Sequence, residues 1–411
     1  MLLYIDPGTG SMLFSIVIGI ATTLLFFAQR IFVKLKFILS GGKAEKIAGN
    51  KIPYVIFADH KRYWNVFKPV CDEFEKRRLP LVYWTASPDD PALSEKYEHV
   101  KTEFIGEGNK AFARLNMMNA GIVLSTTPGL DVYQWKRSRN VDCYVHIFHE
   151  VGEPLTYRMF GVDAYDALLF NGSFQEHYIR LLESKRKEKA KECAVVGCCY
   201  LDTMKERLSK IGVAECKSDK KTILLAPSWG QSAILSKYGK DILNALIKTG
   251  YKIIVRPHPQ SFTSEKEMIE NLEKEFPESE NFKWNRDNDN FDVLNEADLL
   301  ITDFSGVVFD FTLVFDKPII YADTSFNSDP YDASWIDEPL WRFEKLKELG
   351  IKLDKKDFPK MKEMIDSVIE NKELKASRDR VRAEAWQYQG QGAEKTVDWL
   401  LEKYKKITGE R

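Results

Sequence analysis

Two histidines stand directly after strand-like apolar runs, one in each half of this 411-residue chain. His149 follows "CYVHIF", and His258 lies in "VRPHPQS", between two prolines that stiffen the turn and delay the next helix. A neutral imidazole takes a proton from a hydroxyl near pH 7, and a second imidazole can donate a hydrogen bond to an anionic group. A lone histidine is more often structural, but this repeated placement favours a functional role for both.

A third polar turn, "TDFSG" (302–306), separates two segments that both look buried. The preceding "DLLIT" predicts a parallel strand, and "FSGVVFDFTLVF" predicts the helix after it. Asp303 suits the N-cap of that helix, Ser305 adds a hydroxyl, and Gly306 lets a ligand approach the backbone amides. Such a helix start attracts anions, preferably phosphate. A capped helix that binds nothing is the alternative for this motif alone.

Other polar side chains fall at equivalent strand ends. They are Ser228 and Trp229 after "TILL", Arg256 in the turn of His258, and Glu153 and Arg158 after His149. Ligands of open α/β sheets bind at the carboxyl ends of the strands. These residues therefore join the two histidines as candidates for one site.

The elements that must position these residues alternate between strand-like runs and helical stretches. The first set of strand-like runs is 52–58, 80–85, 101–105, 121–126, 142–148 and 166–171, and the second is 222–227, 251–257, 298–302 and 318–322. A charged, helix-like stretch at 183–192 separates the two sets. The pattern predicts two parallel sheets with helices on both faces and a ligand cleft between them.

Composition excludes several classes of protein. The chain is 44% hydrophobic and 12% aromatic with a net charge of -1, which is globular and lacks the basic excess of a nucleic-acid binder. No CxxC pair occurs among the six cysteines, so they are interpreted as buried or free thiols of a reducing compartment, and a metal site of Cys198, Cys199 and a distant histidine is the less favoured alternative. No P-loop or dinucleotide fingerprint is present, and the acidic stretch 285–292 is interpreted as a solvated loop rather than a metal site. We expect neither a metal nor a cofactor.

The N-terminus has its own character. From Pro7 to Gln29 there is no charged residue, and Arg30, Lys34 and Lys36 follow. This pattern predicts a transmembrane helix at about 8–29, a basic interfacial segment up to residue 43, and a cytoplasmic location for the rest. A buried helix of a soluble core is the alternative. The small residues of "YIDPGTGSML" favour packing against a partner membrane protein.

The turns at 256–259 and 302–306, together with "KPIIYA", resemble the CDP-glycerol glycerophosphotransferases of teichoic-acid synthesis. The resemblance runs from about 145 to 399 and includes "LAPSWG", "VVGCCYLD" and "GQGAEKTVDWL". It implies a GT-B fold, with an acceptor-side Rossmann-like domain at 44–200 and a CDP-polyol domain at 201–411. The chain departs from the family in "HEVGEPL", in Gly306 and in "GCCYLD". These departures affect which acceptor the resemblance implies and how well the site would fit the polyol of the donor.

By this resemblance His149 is the general base, and His258 and Ser305 stabilise the phosphate and the CMP leaving group. Asp303, Gly306, Arg256, Ser228 and Trp229 complete the donor site, while Glu153 and Arg158 lie on the acceptor side. The implied function is a membrane-anchored transferase that moves a polyol phosphate, most simply glycerol phosphate, from a CDP-linked donor to a hydroxyl of a lipid-linked or polymeric acceptor in cell-wall polysaccharide synthesis. Two alternatives stay open: a nucleotide-sugar glycosyltransferase of the same fold, and a non-catalytic membrane-tethered module that binds polymer.

Overall fold

The computed structural model describes residues 51–212, 220–287, 289–322 and 326–409. Residues 52–411 form one compact unit that contains two parallel β-sheets. The predicted transmembrane helix and basic segment, residues 1–43, lie outside the described residues. Within the described ranges, no helix combines the length and the apolar character needed to cross a membrane.

The first sheet has seven parallel strands in the order β3-β2-β1-β4-β5-β6-β7. They are β1 (Ile52–Ala58), β2 (Leu81–Thr85), β3 (Val100–Phe104), β4 (Asn119–Ser125), β5 (Asn140–Ile147), β6 (Ala167–Phe170) and β7 (Glu192–Val195). The central strands are apolar along their length because helices cover both faces of a parallel sheet. In β1, for example, the last five residues are all buried.

The second sheet has six parallel strands in the order β10-β9-β8-β11-β12-β13. They are β8 (Thr222–Leu225), β9 (Lys252–Val255), β10 (Phe282–Trp284), β11 (Leu299–Thr302), β12 (Ile319–Ala322) and β13 (Gly350–Leu353). Both sheets therefore begin with the same order, third-second-first-fourth-fifth-sixth. The GT-B prediction requires two such sheets, and the structure has them.

In the described ranges, helices lie in most connections between strands, and three more follow β13. They are α1 (Trp64–Lys76), α2 (Gly108–Asn116), α3 (Phe174–Arg186), α4 (Cys199–Ile211), α5 (Ile234–Ile247), α6 (Ser261–Ser264), α7 (Lys266–Glu275), α8 (Phe291–Glu296), α9 (Val307–Phe309), α10 (Trp341–Leu349), α11 (Met361–Ile369), α12 (Lys372–Ala385) and α13 (Gly392–Thr408). The predicted helix after β11 is a short α-helical turn, α9, that continues as a π-helical turn over Asp310–Val314.

Three strands were not predicted from the sequence: β7, β10 and β13. Each lies at the edge of its sheet, where one side of the strand has no neighbour and polar residues are tolerated. Lys283 in β10 and Lys352 in β13 are exposed, so neither segment is a continuous apolar run. The charged stretch 183–192, predicted as a helix, is the end of α3, a left-handed turn at Lys187 and the first residue of β7.

The last helix, α13, packs on the first sheet although the domain prediction grouped it with residues 201–411. The ring of Tyr404 lies so close to β4 that a Cβ on Gly121 would stand 2.4 Å from it, which requires glycine at that position. At the start of α13, Asp202 of α4 accepts hydrogen bonds from the backbone N–H groups of Gly390 (2.7 Å) and Gly392 (2.9 Å). The motifs "VVGCCYLD" and "GQGAEKTVDWL", which resemble the family, are thus in contact, and this contact holds the start of α13 next to α4.

Candidate active site

The loop after β5 places His149 against the loop after β4. Its Nδ1 lies 2.7 Å from the hydroxyl of Thr126, and its ring meets the ring of Tyr63 edge-on at 4.8 Å. Burial lowers the pKa of His149 below its ordinary value, with a smaller opposing contribution from the carboxylate of Glu150. In the neutral tautomer whose Nδ1–H donates to the hydroxyl of Thr126, the Nε2 lone pair of His149 is free, and this is the tautomer that a general base needs.

In the second half, the loop after β9 holds His258 through the same ring nitrogen. The Nδ1 of His258 accepts a hydrogen bond of 3.1 Å from the backbone N–H of Gln260. Its neutral ring therefore carries the proton on Nε2. Burial lowers the pKa of His258, and the guanidinium of Arg62 lowers it further. His258 is consequently neutral near pH 7 and can donate a hydrogen bond through Nε2.

Two charged groups of the first half act on both histidines. Arg62, at the start of α1, lowers the pKa of His149 and of His258 beyond the effect of burial, and the carboxylate of Glu150 opposes it at both rings. The two imidazoles therefore lie within electrostatic reach of the same two side chains. Glu150 also lies against the polar turn, because a Cβ on Gly306 would stand 3.1 Å from its Oε2.

Asp303 is a structural anchor of the polar turn, which corrects the expectation that it caps its own helix. The carboxyl is fully buried, and it accepts hydrogen bonds from the backbone N–H groups of Ser228 (2.9 Å), Ile234 (2.9 Å) and Ser305 (3.2 Å). It thereby fixes the β8–α5 loop against the turn. Burial raises the pKa of Asp303, and the hydrogen bonds from these backbone groups oppose that change. A ligand can reach Ser305 and Gly306, which are partly exposed, but not Asp303.

The other donor-side candidates surround this turn. Trp229 is 45% exposed, and its ring centre lies 6.4 Å from that of His258. Arg256 is half-buried and donates to the side-chain oxygen of Asn285. The side chain of Ser228 is buried. The structure therefore brings Trp229 and His258 together at the surface, and it leaves Ser228 beneath them.

On the predicted acceptor side, Glu153 is a buried clamp. Its Oε2 accepts a 3.0 Å hydrogen bond from the backbone N–H of Arg342, and its Oε1 lies 3.6 Å from the Arg342 guanidinium. Nη1 of Arg342 donates in turn to the backbone carbonyl of Phe304, at 3.0 Å. Glu153 thus acts on the polar turn through Arg342. Arg158 is exposed and pairs through its backbone with Tyr331.

Several residues of the site escaped the sequence analysis. Thr126 is the last residue of the predicted strand 121–126, and Arg62 comes soon after the predicted strand 52–58, so the rule that identified His149 could have found them. Glu150 directly follows His149 in the sequence, but the sequence analysis gave it no role. Arg342 carries no local signal, because its partners lie 189 and 38 residues away along the chain.

The acidic stretch 285–292 has ordinary partners in its described part. Asp289 pairs with Arg207 at 2.6 Å and accepts from the backbone N–H of Phe291. Asp287 accepts from the side chain of Asn285 at 2.6 Å. These contacts agree with the interpretation of the stretch as a polar loop.

Comparison with known proteins bears on this geometry. Residues 159–334 match the model of the family described as CDP-Glycerol:Poly(glycerophosphate) glycerophosphotransferase. Among curated proteins no sequence matches the chain.

Solved structures share the fold at low identity. A structure of the wall teichoic acid polymerase TagF aligns with a TM-score of 0.56 and 14% identity, covering 95% of this chain and 99% of that one. The UDP-GlcNAc 2-epimerase of Methanocaldococcus jannaschii aligns with a TM-score of 0.55 and 13% identity, covering 85% and 100%. The UDP-GlcNAc 2-epimerase of Neisseria meningitidis aligns with a TM-score of 0.54 and 13% identity, covering 85% of this chain and 100% of that one. The GT-B-type architecture is thereby confirmed. The family match confirms the resemblance to CDP-glycerol glycerophosphotransferases over residues 159–334.

Proposed function

We propose that this protein transfers glycerol phosphate from CDP-glycerol to a hydroxyl of a lipid-linked or polymeric acceptor, in teichoic-acid-type polymer synthesis. The observation that carries the proposal is that the protein engages Nδ1 of both His149 and His258, which leaves Nε2 of each ring for the substrates. Nε2 of His258 then carries a proton, and in the tautomer of His149 whose Nδ1–H donates to Thr126 the Nε2 lone pair is free. Phosphoryl transfer needs one group of each kind.

The reaction follows from this arrangement. Nε2 of His149 takes the proton of the acceptor hydroxyl while the hydroxyl oxygen attacks the phosphorus that carries glycerol. The bond from that phosphorus to the CMP oxygen breaks, and CMP leaves with the electron pair. His258 Nε2–H and the hydroxyl of Ser305 hydrogen-bond the phosphate oxygens, on which negative charge increases. Gly306 lets the phosphate approach the turn, and Trp229 and Arg256 flank the nucleotide.

Measurement of CMP release tests the proposal directly. We expect full-length protein in detergent to release CMP from CDP-glycerol in an acceptor-dependent reaction, and to bind CDP in a calorimetric titration. Release of UDP from UDP-sugars instead would establish the glycosyltransferase alternative, which the shared fold with UDP-GlcNAc 2-epimerases favours as second candidate. Binding of polymer without release of either nucleotide would establish the non-catalytic module.

We also propose that residues 8–29 anchor the protein in the cell membrane by a single helix and that residues 44–411 are cytoplasmic. The support is the uncharged run followed by basic residues. A partner membrane protein would contact the small residues of that helix. A reporter enzyme fused after Arg411 should be active only in the cytoplasm; activity on the other side of the membrane would contradict this topology.

A further inference from the structure

Arg342 belongs to the second half of the sequence, but its backbone is anchored on the first half. Its N–H donates to Oε2 of Glu153 at 3.0 Å. The residue before it, Trp341, stacks on Phe174 of α3, with ring centres 4.1 Å apart. The start of α10 is therefore held in place by the first half.

From this anchor the guanidinium reaches back to the second half. Nη1 of Arg342 donates a 3.0 Å hydrogen bond to the backbone carbonyl of Phe304, which lies inside the polar turn, one residue before Ser305. The side chain of Arg342 is buried, so water competes little for this bond. A single side chain thus connects the polar turn to the first half.

Another nitrogen of the same guanidinium lies against the loop that carries His149. A Cβ on Gly152 would stand 2.7 Å from Nη2 of Arg342, so any larger residue at this position would displace the guanidinium. Gly152 follows His149 by three residues. One planar group therefore lies between the loop of the proposed base and the turn of the proposed phosphate site.

The charge pairing with Glu153 does not explain this placement. Nε of Arg342 and Oε1 of Glu153 lie 3.6 Å apart, and neither atom has a hydrogen-bond partner among the described residues. A guanidinium that only neutralised the buried carboxylate would bond it through two nitrogens, because that geometry is the stronger one. Here Nη1 donates to the polar turn instead.

Each of the two loops is also fixed within its own half. Asp303 ties the polar turn to the β8–α5 loop, and Nε2 of Gln175 donates to the carbonyl of Gly152 at 2.8 Å. These contacts do not set the distance from one loop to the other, whereas Arg342 contacts both. That distance matters because a displacement of about 1 Å between reacting groups can lower a rate by about 10²-fold.

We propose that Arg342 is a positioning residue for the transfer: its guanidinium sets the separation between the loop of His149 and the polar turn of Ser305. The inference rests on the proposed function and identifies what aligns its base with its phosphate site. Arg342 acts through the two loops and needs no contact with either substrate.

The test removes the guanidinium without leaving a buried charge. Glu153→Gln combined with Arg342→Met keeps an acceptor for the backbone N–H of residue 342 and avoids an unpaired ion. We expect kcat for CMP release to fall by about tenfold or more, because the base is no longer aligned with the phosphate. The dissociation constant for CDP should hardly change, since Asp303 still holds the phosphate site. Unchanged kcat, or a parallel loss of CDP affinity, would overturn the inference.

A second variant displaces the guanidinium from the other side. Gly152→Ala should lower kcat with no change of charge. Combined with Arg342→Lys, which lacks Nη2, it should be no slower than the slower of the two single variants, because both changes disturb one contact. Reductions in kcat that multiply would show that the guanidinium does not connect the two loops.

Arg186→Lys is the matched control. That guanidinium is also buried and also joins the halves, since it pairs with Asp163 of the first and Asp332 of the second. Its replacement should lower stability at most and leave kcat close to that of wild type. An equal fall in kcat would mean that any contact between the halves has this effect, and the assignment to Arg342 would be wrong.

Hydrogen exchange of the nucleotide-free protein separates this inference from the proposed function. Peptides that contain residues 149–153 and 303–309 should exchange faster in the Glu153→Gln, Arg342→Met variant than in wild type, and at the wild-type rate in Arg186→Lys. Wild-type exchange of both peptides in the double variant would overturn the positioning role. If the wild-type protein releases no CMP from CDP-glycerol, the proposed function fails, and the exchange rates still decide whether Arg342 holds the two loops.

Discussion

The two sheets begin with the same strand order, yet the loops at their carboxyl ends are stabilised differently. In the second half, the buried carboxyl of Asp303 fixes backbone groups of two loops at once. In the first half, amide side chains fix the loop after β5 by donating to its backbone carbonyls, Asn171 to Glu150 (2.6 Å) and Gln175 to Gly152 (2.8 Å). The second half thus fixes two loops to one buried carboxyl, whereas the loop that carries His149 is fixed by neutral amides.

The largest effect should come from removing the base of the first half. His149→Ala should lower kcat by about 10²- to 10⁴-fold, the usual contribution of a well-placed general base. CDP affinity, measured by calorimetry, should hardly change, since the base contacts the acceptor. A parallel loss of CDP binding would show that His149 belongs to the donor surface and would erase the contrast between the halves.

The pH profile sharpens the same assignment. Because burial lowers the pKa of His149 below its ordinary value of 6.5, the base stays unprotonated under mildly acidic conditions. We expect the acid limb of kcat/KM to have its midpoint below pH 6.5. Thr126→Val should alter this midpoint and lower kcat while preserving the melting temperature, and an unchanged profile would remove Thr126 from the mechanism.

The next largest effect should come from breaking the contact between the two halves at Glu153 and Arg342. Glu153→Ala leaves the buried guanidinium of Arg342 without its carboxylate partner, which costs about 3–5 kcal/mol for a buried ion pair. Denaturant unfolding measures this loss. The matched control is Glu402→Ala, which breaks the exposed pair with Lys406 (side chains 66% and 61% exposed) and should leave stability nearly unchanged. Equal effects in both variants would mean that Glu153 is no clamp.

On the donor surface of the second half, Ser305→Ala should weaken CDP binding by about 1.5–3 kcal/mol, the contribution of one hydrogen bond to a charged group. The melting temperature should stay the same. Asp303→Ala should instead lower stability together with binding, because three backbone N–H groups lose their acceptor. If Ser305→Ala binds CDP as wild type does, the polar turn is not the donor site.

The smallest effect concerns Asp310, between Tyr200 of the first half and Asn290 of the second. Burial raises the pKa of its carboxyl from 3.8 to about 7. The folded state therefore holds this proton more tightly than the unfolded chain does, and the resulting stabilisation is lost as pH rises through 7. Asp310→Asn should gain stability relative to wild type between pH 5 and pH 8 in thermal unfolding. Asp292→Asn, at an exposed position, should show no such trend.

Much of this arrangement was predictable because buried parallel strands form continuous apolar runs and ligands gather at their ends. That logic located His149, His258 and Ser305. It failed where the determining contact is distant in sequence, as for Glu153, whose neutralising partner could not be foreseen. It also failed for Asp303, because an N-cap pattern is local, whereas the actual hydrogen bonds to Ser228 and Ile234 depend on the packing of two loops.

The position of α13 has a consequence for biosynthesis. A ribosome completes the seven strands of the first sheet long before it synthesises the helix that covers Gly121 and packs against Tyr54. Until then the nascent first half exposes an apolar surface, and it acquires its cover only when the second half has emerged. Chains that stop before residue 392 lack this cover and leave that face of the first sheet exposed.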